Sequence, residues 1–440
     1  MQKLNSKELQ KTTTDFIEGC DNAMSVHVVD AIMGAGKSSY AIQMMKENNN
    51  KSYVYITPYL TEVNRIKTEC SDRRFYEPVN KGDGKLDSLH KLLQQGKNIT
   101  STHALFRMTT DETIALVKSK DYVLILDEVL DVVEQIHLKK NDIDVLLQME
   151  MIHITEDKRV HWNEDKLDFD TKYNDLKAMC LQGNVFYVNG SMLMWTLPVE
   201  IFKAFSEVYV LTYLFKGQVQ KAYYDLYNVK YEYHSVRKNE EGKYELCPYI
   251  ESYDMSEIRN NIYIIEDEKL NAIGDNESAL SKSWYIKATK PLMKQLKDNT
   301  YNFFNNKVKG KSKDNLWTTF KDYKGSLQGN GYTKGFIALN TRASNDYADR
   351  CNVAYLSNRY VNPMVVSFFA MHNVSLDEDI FALSEMIQLI WRARIRKGES
   401  INVYIPSSRM RVLFKQWLGE QNSENCIQHF DYQGLRGCRS

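Results

Sequence analysis

Long apolar runs, paired cysteines and an excess of charge of one sign are all missing from this chain of 440 residues. No apolar segment approaches the roughly 18 residues that a membrane-spanning helix needs, and no segment resembles a signal peptide. We therefore expect a cytoplasmic protein with no membrane partner. The seven cysteines are scattered without a C-x-x-C pair or a Cys/His cluster at zinc spacing, which argues against a disulfide framework and a structural metal.

The formal net charge is zero, but the charges are unevenly distributed along the chain. Residues 111–170 contain sixteen acidic and seven basic side chains, whereas residues 281–324 contain eleven lysines and three aspartates. A charge run is usually a solvated face. The alternative, equally open from the sequence, is that the lysine-rich segment forms a local track for a phosphate backbone.

The strongest motif is an apolar strand that runs into a glycine turn and then a helix. Residues 26–39 read VHVVDAIMGAGKSS, and residues 40–45 continue as a predicted helix. This is a phosphate-binding loop of the type G-x-x-x-x-G-K-[ST], except that its first glycine position holds Ala31. Backbone N–H groups and the helix N-terminus would face phosphate, Lys37 would add a charge, and Ser38 would offer a hydroxyl to Mg²⁺. The predicted nucleotide contacts are Gly34, Ala35, Gly36, Lys37, Ser38 and Ser39.

A second signal is an acid pair directly after an apolar strand, in residues 122–129 (YVLILDEV). A P-loop nucleotidase needs a carboxylate at the end of a neighbouring buried strand to hold Mg²⁺. It also needs a group that orients or deprotonates the attacking water. Asp127 fits the first role and Glu128 the second. Both motifs end predicted parallel strands, where ligands of such sheets bind.

Strands alternate with helices along the chain, which predicts an α/β fold with mostly parallel sheets. An acidic, helical segment is expected at 130–179, and the tyrosine-rich stretch 223–265 is expected to belong to a second unit, with a hairpin turn at 238–243. Further strands are expected at 51–56, 97–100, 184–189, 207–213, 335–345 and 401–406. The predicted domains are 1–217, 218–418 and a polar tail at 419–440.

The order of these motifs resembles a superfamily 2 helicase, in which two tandem RecA-like P-loop domains hold ATP in a cleft between them. More narrowly, it resembles the helicase-like ATPases of phages and the origin-binding helicase group of herpesviruses. The resemblance covers residues 26–418. Beside the phosphate-binding loop and the acid pair, it rests on Thr57-Pro58-Tyr59, Thr102-His103, Leu211-Thr212-Tyr213, Thr341-Arg342-Ala343-Ser344-Asn345 and the segment 388–396 (QLIWRARIR).

The resemblance implies an ATP- and Mg²⁺-dependent DNA helicase or translocase that moves on single-stranded or forked DNA, in phage replication or recombination within the host cytoplasm. Thr212 would couple hydrolysis to movement. Replication proteins would supply sequence specificity, because no zinc finger or helix-turn-helix follows residue 396. Strand contacts would come from Pro58, Tyr59, Thr102, His103, Thr341 and Arg342, aided by lysines between Lys282 and Lys324, and catalysis from Glu128, Gln388, Arg392 and Arg396.

Two departures and two alternatives accompany this interpretation. The chain has no adenine-reading glutamine motif, which leaves the base selectivity open, and its Asp-Glu-Val-Leu sequence gives no support for an RNA helicase.

One alternative is a terminase-like or restriction-like motor that moves on duplex DNA without strand separation. The other is a nucleotide-binding scaffold of a replication complex. A scaffold would keep Lys37 while losing Glu128 and the arginines, and this chain has all of them.

The arginine spacing near residue 390 is unusual. The family pattern Q-x-x-G-R-x-x-R would place its second arginine at position 395, which is Ile395. A continuous helix over 381–397 would align Gln388, Arg392 and Arg396 on one face and turn Arg394 away. We therefore predict that Arg392 and Arg396 are the arginine fingers and that Arg394 is structural.

Overall fold

The computed structural model describes residues 25–80, 82, 84–339 and 347–420, which form two compact units. The first unit comprises residues up to Glu251 together with Asn362–Asp377. The second comprises Ser252–Val361 together with residues from Glu378 onward. Among the described residues, no helix is long and apolar enough to cross a bilayer.

The first unit is built on a seven-stranded sheet. Its strands, and those of the segment inserted in it, are β1 Ser25–Asp30, β2 Ser52–Thr57, β3 Ile99–Thr102, β4 Tyr122–Asp127, β5 Val133–Ile136, β6 Ile152–Ile154, β7 Val160–Trp162, β8 Val185–Val188, β9 Met192–Thr196, β10 Glu207–Thr212, β11 Glu232–Lys238 and β12 Tyr244–Pro248. The order in the large sheet is β12-β11-β1-β10-β4-β2-β3, and only β12 is antiparallel to its neighbour. The predicted mostly parallel α/β fold is confirmed in this unit.

Helices alternate with these strands. They are α1 Lys37–Glu47, α2 Leu60–Glu69, α3 Lys85–Gln94, α4 His103–Phe106, α5 Asp111–Lys118, α6 Lys140–Gln148, α7 Asn174–Leu181, α8 Glu200–Lys203 and α9 Val219–Leu226. The central strands β1, β4 and β10 are almost wholly buried, as expected for parallel strands covered on both faces. Their carboxyl ends carry the sequence motifs.

A small module lies in the chain between β4 and β10. Strands β5, β9 and β8 form an antiparallel sheet, β6 and β7 form a hairpin, and α6 and α7 accompany them. Its own core includes Ile143, Val160, Trp162 and Leu193. The helical segment predicted at 130–179 is therefore wrong in part, because short strands interrupt it.

The predicted boundary at Gly217 differs from the structure. Strand β11 pairs with β1, and β12 pairs with β11 across the predicted turn at 238–243. These strands extend the first sheet, so the tyrosine-rich stretch up to Pro248 belongs to the first unit and the compact units divide after Glu251. The hairpin turn itself is confirmed.

The second unit has a four-stranded, all-parallel sheet in the order β13-β16-β15-β14. Its strands are β13 Ile262–Ile264, β14 Asn315–Thr318, β15 Asn352–Tyr355 and β16 Ile401–Tyr404. Its helices are α10 Ser256–Asn260, α11 Glu268–Asn271, α12 Lys282–Lys287, α13 Lys290–Asn302, α14 Lys324–Leu327, α16 Glu378–Ile390 and α17 Ser408–Trp417, whereas α15 Pro363–Met371 belongs to the first unit. Aromatic side chains such as Phe303, Trp317, Tyr332 and Tyr404 fill the core.

Two predicted elements of the second unit are different in the structure. The strand predicted at 335–345 is reduced, in its described part, to a single bridge between Phe336 and Trp317. The helix predicted over 381–397 ends at Ile390, and after Ala393, which is extended, a separate 3₁₀ turn spans Arg394–Lys397.

Candidate nucleotide-binding site

The loop between β1 and α1 has the backbone of an anion-binding turn. Gly34 and Gly36 adopt φ values of 87° and 101°, which side chains other than glycine rarely reach. Helix α1 begins at Lys37, and the first N–H groups of a helix have no partner within it. The N–H groups of Lys37, Ser38 and Ser39 are therefore positioned, at the positive end of α1, for the phosphate that the sequence predicts.

The Lys37 ammonium group folds back onto its own loop. Its Nζ donates to the carbonyl oxygens of Ala31, at 2.5 Å, and Ile32, at 3.2 Å. Burial lowers the pKa of Lys37, and the negative charges of Glu128 and Asp127 are among those that oppose this shift. The lysine is thus held beside the loop by two carbonyl groups that an anionic ligand would replace.

The two sequence motifs meet through Ser38 and Asp127. The Ser38 hydroxyl donates to Asp127 Oδ1 over 3.2 Å, although 89 positions separate the two residues in the chain. The contact arises because β1 and β4 are both neighbours of β10, so that their carboxyl ends lie at one edge of the sheet. Burial raises the pKa of Asp127, and the nearby Glu62 adds to the rise. A hydroxyl and a carboxylate oxygen at this spacing fit the oxygen preference of Mg²⁺.

Glu128 occupies a strained position directly after β4. Its φ is 80°, a left-handed conformation that is uncommon for residues other than glycine, and its N–H donates to Leu211 O over 3.0 Å. Such strain concentrates at functional sites, where the surrounding structure enforces it. The turn bends the chain immediately after Asp127, and the charge of Glu128 acts on Lys37.

Asp30 is a buried residue of this edge that the sequence prediction missed. Its side chain is 1% exposed, and its carboxylate accepts the N–H groups of Leu214 and Phe215, each over 2.9 Å. Burial raises the pKa of Asp30, while these two donors oppose the rise. Asp30 thereby fixes the loop that follows Thr212. The carbonyl oxygen of Thr212 in turn accepts the N–H of Ala31. The sequence does contain a signal for this residue, because Asp30 is an acidic side chain at the end of the apolar strand that leads into the glycine loop.

Tyr244 is a second residue that the sequence prediction missed. A Cβ atom added to Gly36 would lie 2.0 Å from Tyr244 Cε1, so the ring packs directly on the glycine. The Gln43 side chain holds Tyr244 in place, accepting its N–H over 2.9 Å and donating to its carbonyl over 3.2 Å. Position 36 must therefore be glycine for two reasons, its φ angle and this close approach.

The residues predicted to contact single-stranded DNA differ in how exposed their side chains are. Pro58 and Tyr59 follow β2, and Thr102 ends β3; all three are partly exposed. His103 is only 6% exposed, so its side chain is not available to a DNA strand in this conformation, and its position at the start of α4 favours a structural role. Thr341 and Arg342 lie outside the described residues.

The predicted arginine geometry is wrong in its premise. Because the helix ends at Ile390, Gln388, Arg392 and Arg396 do not lie along one helical face. Arg396 is exposed on the 3₁₀ turn. Arg394 is partly buried, and its Nε donates to Ser400 O over 2.5 Å, which agrees with the predicted structural role.

Comparisons with known proteins identify the family. Residues 256–418 match the model of the YonV C-terminal Rossmann-like domain, and residues 133–195 match that of the YonV middle domain. The SPbeta prophage-derived uncharacterized protein YonV of Bacillus subtilis (strain 168) is 44% identical over 410 residues, covering 90% of this chain and 99% of that protein. The chain belongs to the YonV family. The middle-domain match lies in the module between β4 and β10, and the C-terminal-domain match spans the second compact unit together with α15 of the first unit.

Two of the solved structures that are similar to this YonV-family chain align over nearly its full length. One, described as XPD_Helicase, aligns with a TM-score of 0.46 and 13% identity over 96% of this chain and 98% of its own. The other, Xpd4 from S. tokodaii, aligns with a TM-score of 0.45 and 12% identity over 94% of this chain and 97% of its own. None of these matches bears on the narrower resemblance to herpesvirus origin-binding helicases, which stays a prediction.

Proposed function

We propose that this YonV-family chain is an ATP-dependent DNA translocase or helicase of superfamily 2 type, which couples ATP hydrolysis to movement on single-stranded DNA. The observation that carries the hydrolase part is the contact between Ser38 and Asp127, beside the Lys37 ammonium group. A phosphate-binding loop alone occurs in many turns. A strand-end carboxylate on its serine is the arrangement that Mg²⁺–nucleotide chemistry requires.

The residues at this edge take different roles. The N–H groups at the start of α1 bind phosphate oxygens, and Lys37 exchanges its carbonyl partners for the β- and γ-phosphates. Ser38 and Asp127 would hold Mg²⁺, which would neutralise charge on the phosphates when bound. Glu128, close enough to act electrostatically on Lys37, orients the attacking water and accepts its proton.

In the second unit, Arg392 and Arg396 stay the candidates for stabilising charge on the transferred phosphoryl group, with Gln388 beside them in sequence. The role cannot be argued from a common helical face, because the helix ends at Ile390 and the two arginines follow it. What supports it is the motif order in the sequence, together with the hydrogen bond that commits Arg394 to the Ser400 carbonyl. A correctly placed arginine can raise the rate on the order of 10³-fold or more.

The DNA part of the proposal rests on charge and on the motif order. The lysines between Lys282 and Lys324 are exposed except for Lys297, which is partly buried. Some of these charges are already balanced within the unit, because Lys294 contacts Asp298 and Lys307 contacts Asp267, each over 2.6 Å. The remaining excess of positive charge suits a phosphate backbone. Tyr59 and Thr102 are accessible candidates for strand contacts in the first unit.

The test is the ATPase rate measured with no nucleic acid, single-stranded DNA, duplex DNA and RNA. Stimulation by single-stranded DNA is expected. Stimulation by duplex alone would favour a duplex motor, and ATP binding without hydrolysis under any condition would favour the scaffold. Lys37→Ala should weaken nucleotide binding, whereas Lys46→Ala, which replaces an exposed lysine at the other end of α1, should behave like the wild type.

A further inference from the structure

Two imidazoles and a carboxylate meet on neighbouring strands of the first sheet, on residues that the proposed function does not use. His27 lies on β1, and Glu232 and His234 lie on β11. His27 is the register partner of Glu232, and alternate residues of a strand share a face, so the three side chains project from one side of the sheet. One ligand atom from each residue lies within 4.8 Å of the other two.

The spacing of these atoms is close to that of a metal site. His27 Nδ1 lies 3.1 Å from His234 Nε2, and Glu232 Oε2 lies 3.8 Å from the same His234 nitrogen. Two imidazole nitrogens bound to one tetrahedral zinc ion at about 2.0–2.1 Å are roughly 3.3 Å apart. The histidine pair needs almost no adjustment, and the carboxylate belongs to a surface side chain that can rotate.

The ring of His27 is fixed in the orientation that a ligand needs. Its other nitrogen, Nε2, lies 2.9 Å from the Ser25 hydroxyl, and the ring stacks on Tyr209 with centroids 4.8 Å apart. Metal-bound histidines generally use their second nitrogen in such a hydrogen bond, which fixes the tautomer and directs the first nitrogen to the metal.

We propose that His27, His234 and Glu232 bind a divalent first-row transition metal of the zinc type, with water completing its coordination. The site is open to solvent on the side of Glu232, whose side chain is 74% exposed. Strands β1 and β11 share only three paired positions. The metal therefore cross-links the strand that leads into the glycine loop to the hairpin that carries Tyr244. This role does not depend on ATP hydrolysis.

The test is a Co²⁺ titration of the full-length, chelator-treated protein without nucleotide, followed by visible absorption. The wild type should take up one equivalent in a nitrogen-containing site, and Zn²⁺ should displace it. Glu232→Gln, at an exposed position that tolerates substitution, should weaken binding by about 10-fold or more, because loss of even an outer-shell partner of a ligand costs about 10- to 100-fold. His234→Ala should abolish it.

Two matched controls should keep the Co²⁺ spectrum. His161→Ala removes one ring of the stacked pair His153–His161, whose centroids lie 5.4 Å apart on the β6–β7 hairpin. Asp127→Asn removes the expected Mg²⁺ ligand. As a second readout, Zn²⁺ at about 100 times its Kd should raise the Tm of the wild type by about 5 °C or more, and that of Glu232→Gln by less.

The proposal would be overturned by an unchanged spectrum in His234→Ala and Glu232→Gln. It would equally be overturned if Asp127→Asn abolished the absorption, or if the wild type took up no stoichiometric metal. Failure of ATP hydrolysis would contradict the proposed function and leave these readouts unaffected.

Discussion

Glu128 offers a way to separate backbone strain from catalysis, because it combines a φ of 80° with the expected role in activating water. Glu128→Gln removes the carboxylate charge and keeps the shape of the side chain. Glu128→Gly removes the charge, the side chain and the conformational strain. Comparing the two variants isolates the backbone contribution, since both lose the same charge beside Lys37.

The expected magnitude follows from two opposing effects. A left-handed conformation costs a residue other than glycine about 1–2 kcal/mol, whereas glycine adds roughly 0.5–1 kcal/mol of unfolded-state entropy. Glu128→Gly should therefore be more stable than Glu128→Gln by about 0–1.5 kcal/mol. Glu240, exposed in the β11–β12 turn and not among the residues with positive φ, is the matched control. There the glycine variant should be less stable than the glutamine variant by about 0.5–1 kcal/mol.

Denaturant unfolding measures both stability differences, and steady-state ATPase assays with nucleotide-binding titrations measure function. Both Glu128 variants should bind nucleotide and lose turnover by about 10²- to 10⁴-fold, the usual contribution of a general base. If the glycine variant is less stable than the glutamine variant by the same free energy of unfolding at positions 128 and 240, the backbone at Glu128 is not strained. Hydrolysis by Glu128→Gln at the wild-type rate would refute the catalytic role.

Three further predictions follow from charges described above. Burial raises the folded-state pKa of Asp127, so ionisation of this carboxyl lowers the stability of the wild type as pH rises through that pKa. Asparagine at this position does not ionise, so Asp127→Asn should gain stability relative to the wild type between acid and neutral pH. Thermal melts at several pH values without Mg²⁺ would measure this difference. A constant difference across pH would contradict this. Arg396→Ala should bind ATP and lose turnover, while Arg394→Ala should mainly lower the Tm; the reverse pattern in ATPase and melting data would exclude Arg396 as the catalytic arginine. Reversing three exposed lysines within 282–324 should weaken DNA binding and reduce the slope of log K against log salt by about 2–3, and an unchanged slope would mean that these lysines form only a solvated face.

The sequence identified the edge of the first sheet because its signals are local. A valine-rich strand, two glycines and Lys37-Ser38 predict a strand, a turn and a helix from neighbours alone. The acid pair Asp127-Glu128 is likewise a local signal, because it directly follows the apolar residues that predict the strand. The meeting of these motifs followed from the general rule for parallel sheets.

What the sequence missed depends on partners distant in the chain. The segment after Ile390 contains no proline or glycine before Gly398, so its composition predicts a continuous helix. The structure breaks it because the Arg394 N–H leaves the helical pattern and donates to Arg350 O over 3.0 Å. The hairpin β11–β12 was assigned to the wrong unit for a similar reason, since only its pairing with β1 decides its sheet.

The pairing of β1 also has a consequence for synthesis on the ribosome. Both sheet neighbours of β1 are made late, because roughly 180 residues separate it from β10, and β11 comes later still. At about 5–20 residues per second, the emerging valine-rich strand waits on the order of 10–40 seconds for a partner. During that interval its unpaired edge is available to other nascent chains. The sheet around β1 therefore cannot form until translation has passed the module that precedes β10.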